Sequence, residues 1–377
     1  MAAAGTAPVL VVGAGFSGVT VARVLAEAGH EVRVLEKRAH PGGNAFDEPD
    51  SAGVLVHRHG PHVFHTNSAA VFRFLSRFTA WRAYEHRVLA SVDGRLLPIP
   101  INRRTVNELY GLALDEAGVA AFLDRARVDF GRPAASSEEL VLASVGPDLC
   151  NRFFRGYTRK QWGRELSELS PGVAARIPTR CNDDDRYFTD RFQCMPAQGY
   201  TAMFRRMLDH PRITVEYGCD WLACRESRAH RHLVYTGPID AFFGHCEGRL
   251  PYRSLRFEFE HLPGVGEFQP VAQVNYPGDE PWTRITEFRH LTGQRCEGTT
   301  IAREYALDEG EPYYPIPSPA PQALHERYRR RADAIADKVS FVGRLAQYRY
   351  YNMDQAVAAA LHIAGELLRR WQARPSS

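Results

Sequence analysis

The run Val9–Val12 is short, apolar and unbroken, the pattern of a strand buried on both faces, and it ends at Gly13. From Val19 to Ala28 the apolar positions recur at helical spacing and stop at Gly29. Glu31 to Leu35 then returns to a strand-like run, which closes a βαβ unit. Between Ala69 and Val145 the periodicity reads as mostly helical. Val71, Phe72, Leu75 and Phe78 share one face, and Val119, Phe122, Leu123 and Ala126 another. Alternating runs take over between Arg212 and Phe259 (ITVEY, HLVYTG, SLRFEFE) and continue through VAQVNY and TRITEF to about residue 288. Lys338–Val342 reads as one more strand. Met353–Trp371 reads as a long final helix with Val357, Ala360, Leu361, Ala364, Leu367 and Leu368 on its apolar side.

Composition narrows the function. In 377 residues, 47 Lys and Arg against 44 Asp and Glu leave a net charge of +3, too little to hold nucleic acid as a bulk partner. Anionic ligands must be held by a few placed cations. Seven cysteines without a C-x-x-C pair suggest neither a disulfide framework nor a zinc site, so no metal is expected and the thiols read as those of a cytoplasmic protein. The first apolar run is too short for an export signal, and no stretch approaches the roughly 18 apolar residues that span a bilayer.

Gly13-Ala14-Gly15-Phe16-Ser17-Gly18 fits G-x-G-x-x-G between the first strand and helix. Glycines there allow a tight turn and let backbone N–H groups approach a pyrophosphate at the helix N-terminus. Glu36 ends the second strand, placed to bind a ribose diol. The following Lys37 to Asn44 contains a second glycine pair, Gly42-Gly43, which argues for FAD over NAD.

Beyond this fingerprint, the chain resembles the bacterial UDP-galactopyranose mutases. The likeness runs from Val9 to about Gly365 through seven collinear segments: 10–44, 59–66, 156–163, 235–240, 251–255, 311–315 and 343–352. It implies an α/β fold, a discontinuous FAD-binding Rossmann domain with an inserted helical domain and a six-stranded antiparallel β-sheet domain. On this chain those parts fall at 1–75 (Rossmann, first part), 76–150 (helical) and 151–195 (a mobile loop leading into the sheet domain). They continue at 196–245 (Rossmann, second part), 246–310 (sheet) and 311–377 (Rossmann, third part, with the closing helix). The implied activity is a redox-neutral isomerisation of a nucleotide-diphosphate sugar between pyranose and furanose forms, through a sugar adduct at N5 of reduced flavin. UDP-galactopyranose is the first expectation. An external reductant for the flavin and a homodimeric assembly complete the picture, without nucleic acid or membrane.

The resemblance also assigns residues. Arg180 and Arg284 match arginines at the leaving diphosphate, a role suited to a permanently charged bidentate donor. Tyr157, Trp162, Tyr187, Tyr314 and Tyr350 match aromatics lining the substrate cleft, and Thr158, Asn275 and Glu304 are placed with them. His65 matches a histidine near the flavin face that could carry protons near neutral pH, with His62 closer to the flavin edge. Phe16, Ser17, Lys37, Asn44, Arg344, Asn352 and Met353 join the cofactor set.

The chain departs from the family pattern in places. His86 stands where Asn is usual, Glu108 where Gln neighbours the uracil, Asn352 for Asp and Gln347 for Glu. A carboxylate at Glu108 would suit the N–H donors of guanine, so a GDP-linked 6-deoxyhexose such as GDP-rhamnose is the alternative substrate. A flavin oxidoreductase is the third reading.

Overall fold

The computed structural model describes residues 7–224 and 229–373. Val9–Val12 lies at the centre of a five-stranded parallel sheet, between Val32–Glu36 and His232–Tyr235, with Ile213–Tyr217 and Val339–Phe341 at the edges. Helices cover the sheet, which is why its inner strands are apolar on both sides. The Phe16–Glu27 and Met353–Gln372 helices pack through Val19, Leu25, Val357, Ala360 and Leu367 on one face, while Leu10, Leu35, Trp221 and Leu233 form the core on the other.

The first helix begins earlier than its apolar periodicity suggests. Gly15 is its N-cap, so Phe16, Ser17 and Gly18 form its first turn instead of belonging to the glycine loop. The fit is tight: a Cβ on Gly18 would lie 1.9 Å from the Gly13 carbonyl oxygen. Gly13 itself has φ +99, a conformation that disfavours side chains.

The expected helical stretch from residue 69 to 145 is corrected in its middle. Helices at Ala69–Leu75, Arg103–Tyr110, Glu116–Ala126 and Ser137–Leu149 are present, but Trp81–Ala83, Val88–Val92 and Arg95–Ile99 are strands. Val88, Ala90 and Val92 are buried at every second position, as one-sided burial of a strand requires. The turn between the last two strands is Asp93-Gly94, both at positive φ, the pairing that two-residue hairpins favour.

That hairpin enlarges the second sheet to seven strands, in the order Tyr314–Pro315, Tyr252–Leu262, Thr299–Leu307, Arg284–Glu287, Gln273–Asn275, Val88–Val92 and Arg95–Ile99. All neighbours are antiparallel except Gln273–Asn275 with Val88–Val92, which run parallel. The six-stranded antiparallel sheet implied by the resemblance is therefore one strand short and misses one parallel pairing.

A single carboxylate ties distant parts of the chain together. The helix Gly199–Leu208 has no side-chain cap of its own, and Asp47 supplies one, accepting from the Tyr200 N–H at 2.6 Å and the Thr201 N–H at 2.7 Å. Asp47 is 2% exposed; burial raises its pKa against the pull of those N–H groups. The capped helix carries Phe204, which meets Phe16 at 4.7 Å beneath the glycine turns. We predict that Asp47→Ala lowers stability by about 2 kcal/mol, the cost of a cap with charged character. Urea unfolding measures it, and a loss below about 0.5 kcal/mol, no more than a neutral surface change, would show the cap to be dispensable.

Candidate active site

The two glycine turns expected to hold the cofactor touch each other. The Gly42 N–H donates to the Ala14 carbonyl at 2.8 Å, and a Cβ on Gly43 would come within 3.1 Å of the Gly15 Cα. Glu36 closes the arrangement, accepting from the Ala14 N–H at 2.7 Å through one oxygen and from the Arg38 N–H at 2.9 Å through the other. Each carboxylate oxygen keeps a lone pair for a ribose hydroxyl. Asn44 accepts from Arg38 at 3.0 Å, while Lys37 is half exposed and paired with Glu311. Gly343 lies over Ser17, so the segment 343–353 begins against the same helix N-terminus. A glycine cradle at a helix start with an acid beside it fits a dinucleotide.

The segment 343–353, through Arg344 and Met353, lines a cleft of about 890 Å3 whose other walls include Gln273 and Arg284 of the seven-stranded sheet. The helix Gly156–Trp162 brings Tyr157, Thr158 and Trp162 to its wall. It lies so close to the sheet that a Cβ on Gly156 would be 2.1 Å from the Pro277 carbonyl. Burial raises the Tyr157 phenol far above its ordinary range, so it presents a neutral hydroxyl.

Arg284 and Glu304 face each other in register on adjacent strands. Glu304 is 1% exposed and accepts from Arg284 through Nε at 2.8 Å and Nη2 at 2.7 Å. Arg284 lines the cleft. Asn275 is buried behind that wall, accepting from Gln273 Nε2 at 2.9 Å, and Gln273 itself lines the cleft.

Arg180 does not line the cleft. Its Nη1 donates to the carbonyls of Asp184 at 2.8 Å and Arg186 at 2.6 Å, which ties one end of the guanidinium to its own loop, while its Nη2 is buried without a partner among the described residues. The cation that lines the cleft from this segment is Arg176, four residues earlier. It lies 4.1 Å from the centre of the Tyr350 ring and holds a buried Nη1 with no protein partner among the described residues. Arg344 approaches Tyr350 and Tyr314 at 5.8 and 5.1 Å, and Trp162 meets Tyr350 edge-on at 5.3 Å. Tyr350 is thus bracketed by two guanidinium groups and packed by aromatic neighbours. The RIPTR segment contains both arginines, and nothing in its spacing says which one faces inward.

His65 is 9% exposed; its Nδ1 lies 2.8 Å from Asp190 Oδ2, and its ring stacks on Phe188 at 3.6 Å. His62 lines the cleft with its Nδ1 on the Gly60 carbonyl at 2.8 Å. His86, 4% exposed, lines it between Tyr84, whose hydroxyl is 3.1 Å from Nδ1, and Tyr187, whose N–H donates to the His86 carbonyl at 2.7 Å. Asn352 caps the final helix in a capping box with Gln355, and Met353 follows at the cleft margin.

Glu108 is corrected. It sits on the solvent side of the helix Arg103–Tyr110, 43% exposed, paired with Arg104 at 3.2 Å, and is absent from the cleft wall. The residues that sequence reasoning passed over are Arg176, Gln273, Phe188 and Asp190, all on that wall.

A glycine-cradled dinucleotide site joined to an aromatic cleft with fixed arginines defines a Rossmann-type enzyme for an anionic substrate. A family model described as UDP-galactopyranose mutase matches residues 152–350, and one described as an NAD(P)-binding Rossmann-like domain matches residues 11–78. A probable UDP-galactopyranose mutase of Klebsiella pneumoniae is 39% identical over 96% of this chain and 94% of its own, and a dTDP-fucopyranose mutase of Escherichia coli is 35% identical over 94% and 97%. The chain belongs to the UDP-galactopyranose mutase family of isomerases. A crystal structure of reduced UDP-galactopyranose mutase shares the fold, with TM-score 0.74 at 18% identity over 96% of both chains. A putrescine oxidase solved with putrescine bound has TM-score 0.56 at 12% identity, over 97% of this chain and 99% of its own.

Two buried histidines make stability pH-dependent. Burial lowers His57 to about 4 and, with help from Arg284, His86 to about 3, so both are neutral in the folded protein, whereas both titrate near 6.5 when unfolded. Their contribution is complete above pH 6.5 and is lost as pH falls toward 4 and then 3. Each should contribute a slope of about 1.4 kcal/mol per pH unit below pH 6. Urea unfolding from pH 8 to 4.5 should show the decline, and His86→Gln should flatten it by one proton's worth; an unchanged slope in the variant would show that His86 is charged in the fold.

Proposed function

We propose that the protein binds FAD across the two glycine turns and interconverts UDP-galactopyranose and UDP-galactofuranose in the adjoining cleft. The observation that carries the reading is the convergence of Arg176, Arg284 and Arg344 on one aromatic-walled cleft, joined to the cofactor cradle by the segment that starts with Gly343 against Ser17. Gly13, Gly15, Gly18 and Gly43 form the cradle, Glu36 takes the ribose, and the segment from Arg344 to Met353 meets the flavin. Reduced flavin, charged by an external reductant, supplies the nucleophile for the anomeric carbon.

The protein's own groups do the rest. As the diphosphate leaves it gains charge, and guanidinium groups fixed beside it stabilise that state more than the bound substrate. Arg284 is held for this by Glu304, Arg176 by the Tyr350 ring, and Arg344 by its bond to the Tyr351 carbonyl at 2.7 Å. Tyr157, Tyr187 and Tyr314 keep neutral hydroxyls to donate to phosphate or sugar oxygens, and Trp162 and Thr158 close the wall. His65 carries protons between sugar oxygens. As the bond from anomeric carbon to ring oxygen breaks, the electron pair stays on oxygen and the imidazolium gives it the Nε2 proton. The hydroxyl that recloses the ring returns one. His86 and Gln273 bound the sugar end.

The test is incubation of the protein, with flavin reduced or oxidised, with UDP-galactose, dTDP-fucose and a GDP-6-deoxyhexose, reading furanose products by chromatography. UDP-galactose should turn over only with reduced flavin; hydrogen peroxide without ring contraction would replace the reading by an oxidase. Preference for dTDP-fucose would move the substrate to the chemistry named for the Escherichia coli relative. In the same assay Arg176→Ala should lose about 100-fold or more in kcat/KM, the scale of one oxyanion contact, and Arg180→Ala should lose less. The reverse order would return the role to Arg180.

A further inference from the structure

We infer that Asp190 is a positioning residue that fixes the tautomer of His65, and that Asn67 fixes Asp190 in turn. This rests on the reading of His65 as a proton carrier. His65 lies on the strand Phe64–Thr66, paired antiparallel with Phe192–Pro196, so the loop that ends at Asp190 and the histidine are brought together by the register Phe64–Cys194, His65–Gln193 and Thr66–Phe192. His65 Nδ1 and Asp190 Oδ2 are 2.8 Å apart, and Phe188 stacks on the ring at an interplanar angle of 12°. Ring plane and one nitrogen are therefore both fixed. Nε2, with no hydrogen bond among the described residues, is the nitrogen left for a ligand in the cleft that His65, Asn67, Phe188 and Asp190 line together.

A carboxylate has only lone pairs to offer, so it requires an N–H at Nδ1. After the imidazolium gives up its Nε2 proton, the ring that remains must be the Nδ1–H tautomer, whose bare Nε2 can take a proton back. Asn67 removes the remaining freedom. Its Oδ1 accepts from the Arg191 N–H at 2.9 Å, so its Nδ2 is the atom facing Asp190 Oδ1, also at 2.9 Å. The Asp190 carbonyl accepts from Gln193 Nε2 at 3.1 Å, holding the backbone of the same residue.

This chain of bonds predicts how an amide at position 190 would sit. In Asp190→Asn the side-chain oxygen must face the Asn67 amide, which turns the new NH2 toward His65 Nδ1. A donor there selects the opposite tautomer, with the proton on Nε2, and that nitrogen can no longer act as a base. Removing the Asn67 side chain frees the new amide to rotate, so Asp190→Asn combined with Asn67→Ala should recover part of the original tautomer.

The experiment is nitrogen-15 NMR of the holoprotein labelled at histidine, with His65 assigned by its loss in His65→Gln. The wild type should show Nδ1 protonated and Nε2 bare in the neutral ring. Asp190→Asn should invert that pattern and lower kcat at least tenfold while KM changes less than twofold, and the double variant should regain part of both. A wild-type ring with the proton on Nε2 overturns the inference whether or not the variants fold. So does a folded Asp190→Asn protein that keeps Nδ1 protonated or keeps full kcat. A wild type that shows the expected tautomer but converts no nucleotide sugar leaves Asp190 with its role on the imidazole and sinks the proposed function instead.

Discussion

A cation has to stand largely buried in the cleft wall, and the pairing of Arg284 with Glu304 is what permits it. An unpaired guanidinium taken out of water costs several kcal/mol, and so does an unpaired carboxylate. Here each answers the other through two short bonds across adjacent strands. The bonds use Nε and Nη2, which leaves Nη1, with only a long 3.5 Å contact to Gln273 Oε1, as the edge available to a ligand. Because the two residues are register partners, the sheet cannot slip without breaking the pair. Sheet register, cleft charge and cleft shape are thus one constraint. Thr283, whose N–H donates to the Glu304 carbonyl at 2.8 Å, and Gly60, packed against Phe257 and the Glu304 carboxylate, fit around it.

The cofactor cradle obeys a different rule, that of absent side chains. Gly13, Gly15, Gly18 and Gly43 sit where backbone approaches backbone, and what holds them there lies elsewhere: Asp47 capping a helix at Tyr200, 153 residues away in sequence, and Phe204 filling the space under Gly42. The cradle is rigid because its surroundings are, which is what a site that must align a flavin with a sugar needs.

These two kinds of constraint explain what the sequence discloses. The strand, glycine turn, helix and acid of residues 9–36 are legible because a doubly covered parallel strand and a phosphate turn each demand a local pattern. The hairpin at 88–99 is legible too, through Asp93-Gly94, but the surrounding helical periodicity outweighs it. Arg284 could be placed through its motif. Arg176 could not be told from Arg180, because the choice is made by the carbonyls of Asp184 and Arg186, a loop geometry that no spacing encodes. Glu108 illustrates the converse: its chemistry suited guanine, yet an i,i+4 partner at Arg104 keeps it on the outer face of its helix. Asp190 carries no signal in sequence, since its role exists only once two strands bring it to His65.

Fold alone does not choose between isomerase and oxidase, since the putrescine oxidase likeness spans nearly the whole chain. The placement of charge does. At about 4 Å two like charges repel by roughly 1 kcal/mol in water and about 4 kcal/mol at an effective dielectric near 20. An amine cation entering this cleft would meet Arg176, Arg284 and Arg344, whereas the carboxylates that line it, Asp190 and Asp354, are already bonded to His65 and Asn67 and to Thr66. A diphosphate meets the same groups with the opposite sign: Arg176 holds a buried Nη1 with no partner among the described residues and Arg284 keeps Nη1 nearly free, while Arg344 donates Nη2 to the Tyr351 carbonyl at 2.7 Å and contributes chiefly its charge. The placement of these arginines, and not a surplus of charge, is therefore what suits the shared scaffold to a nucleotide-diphosphate substrate.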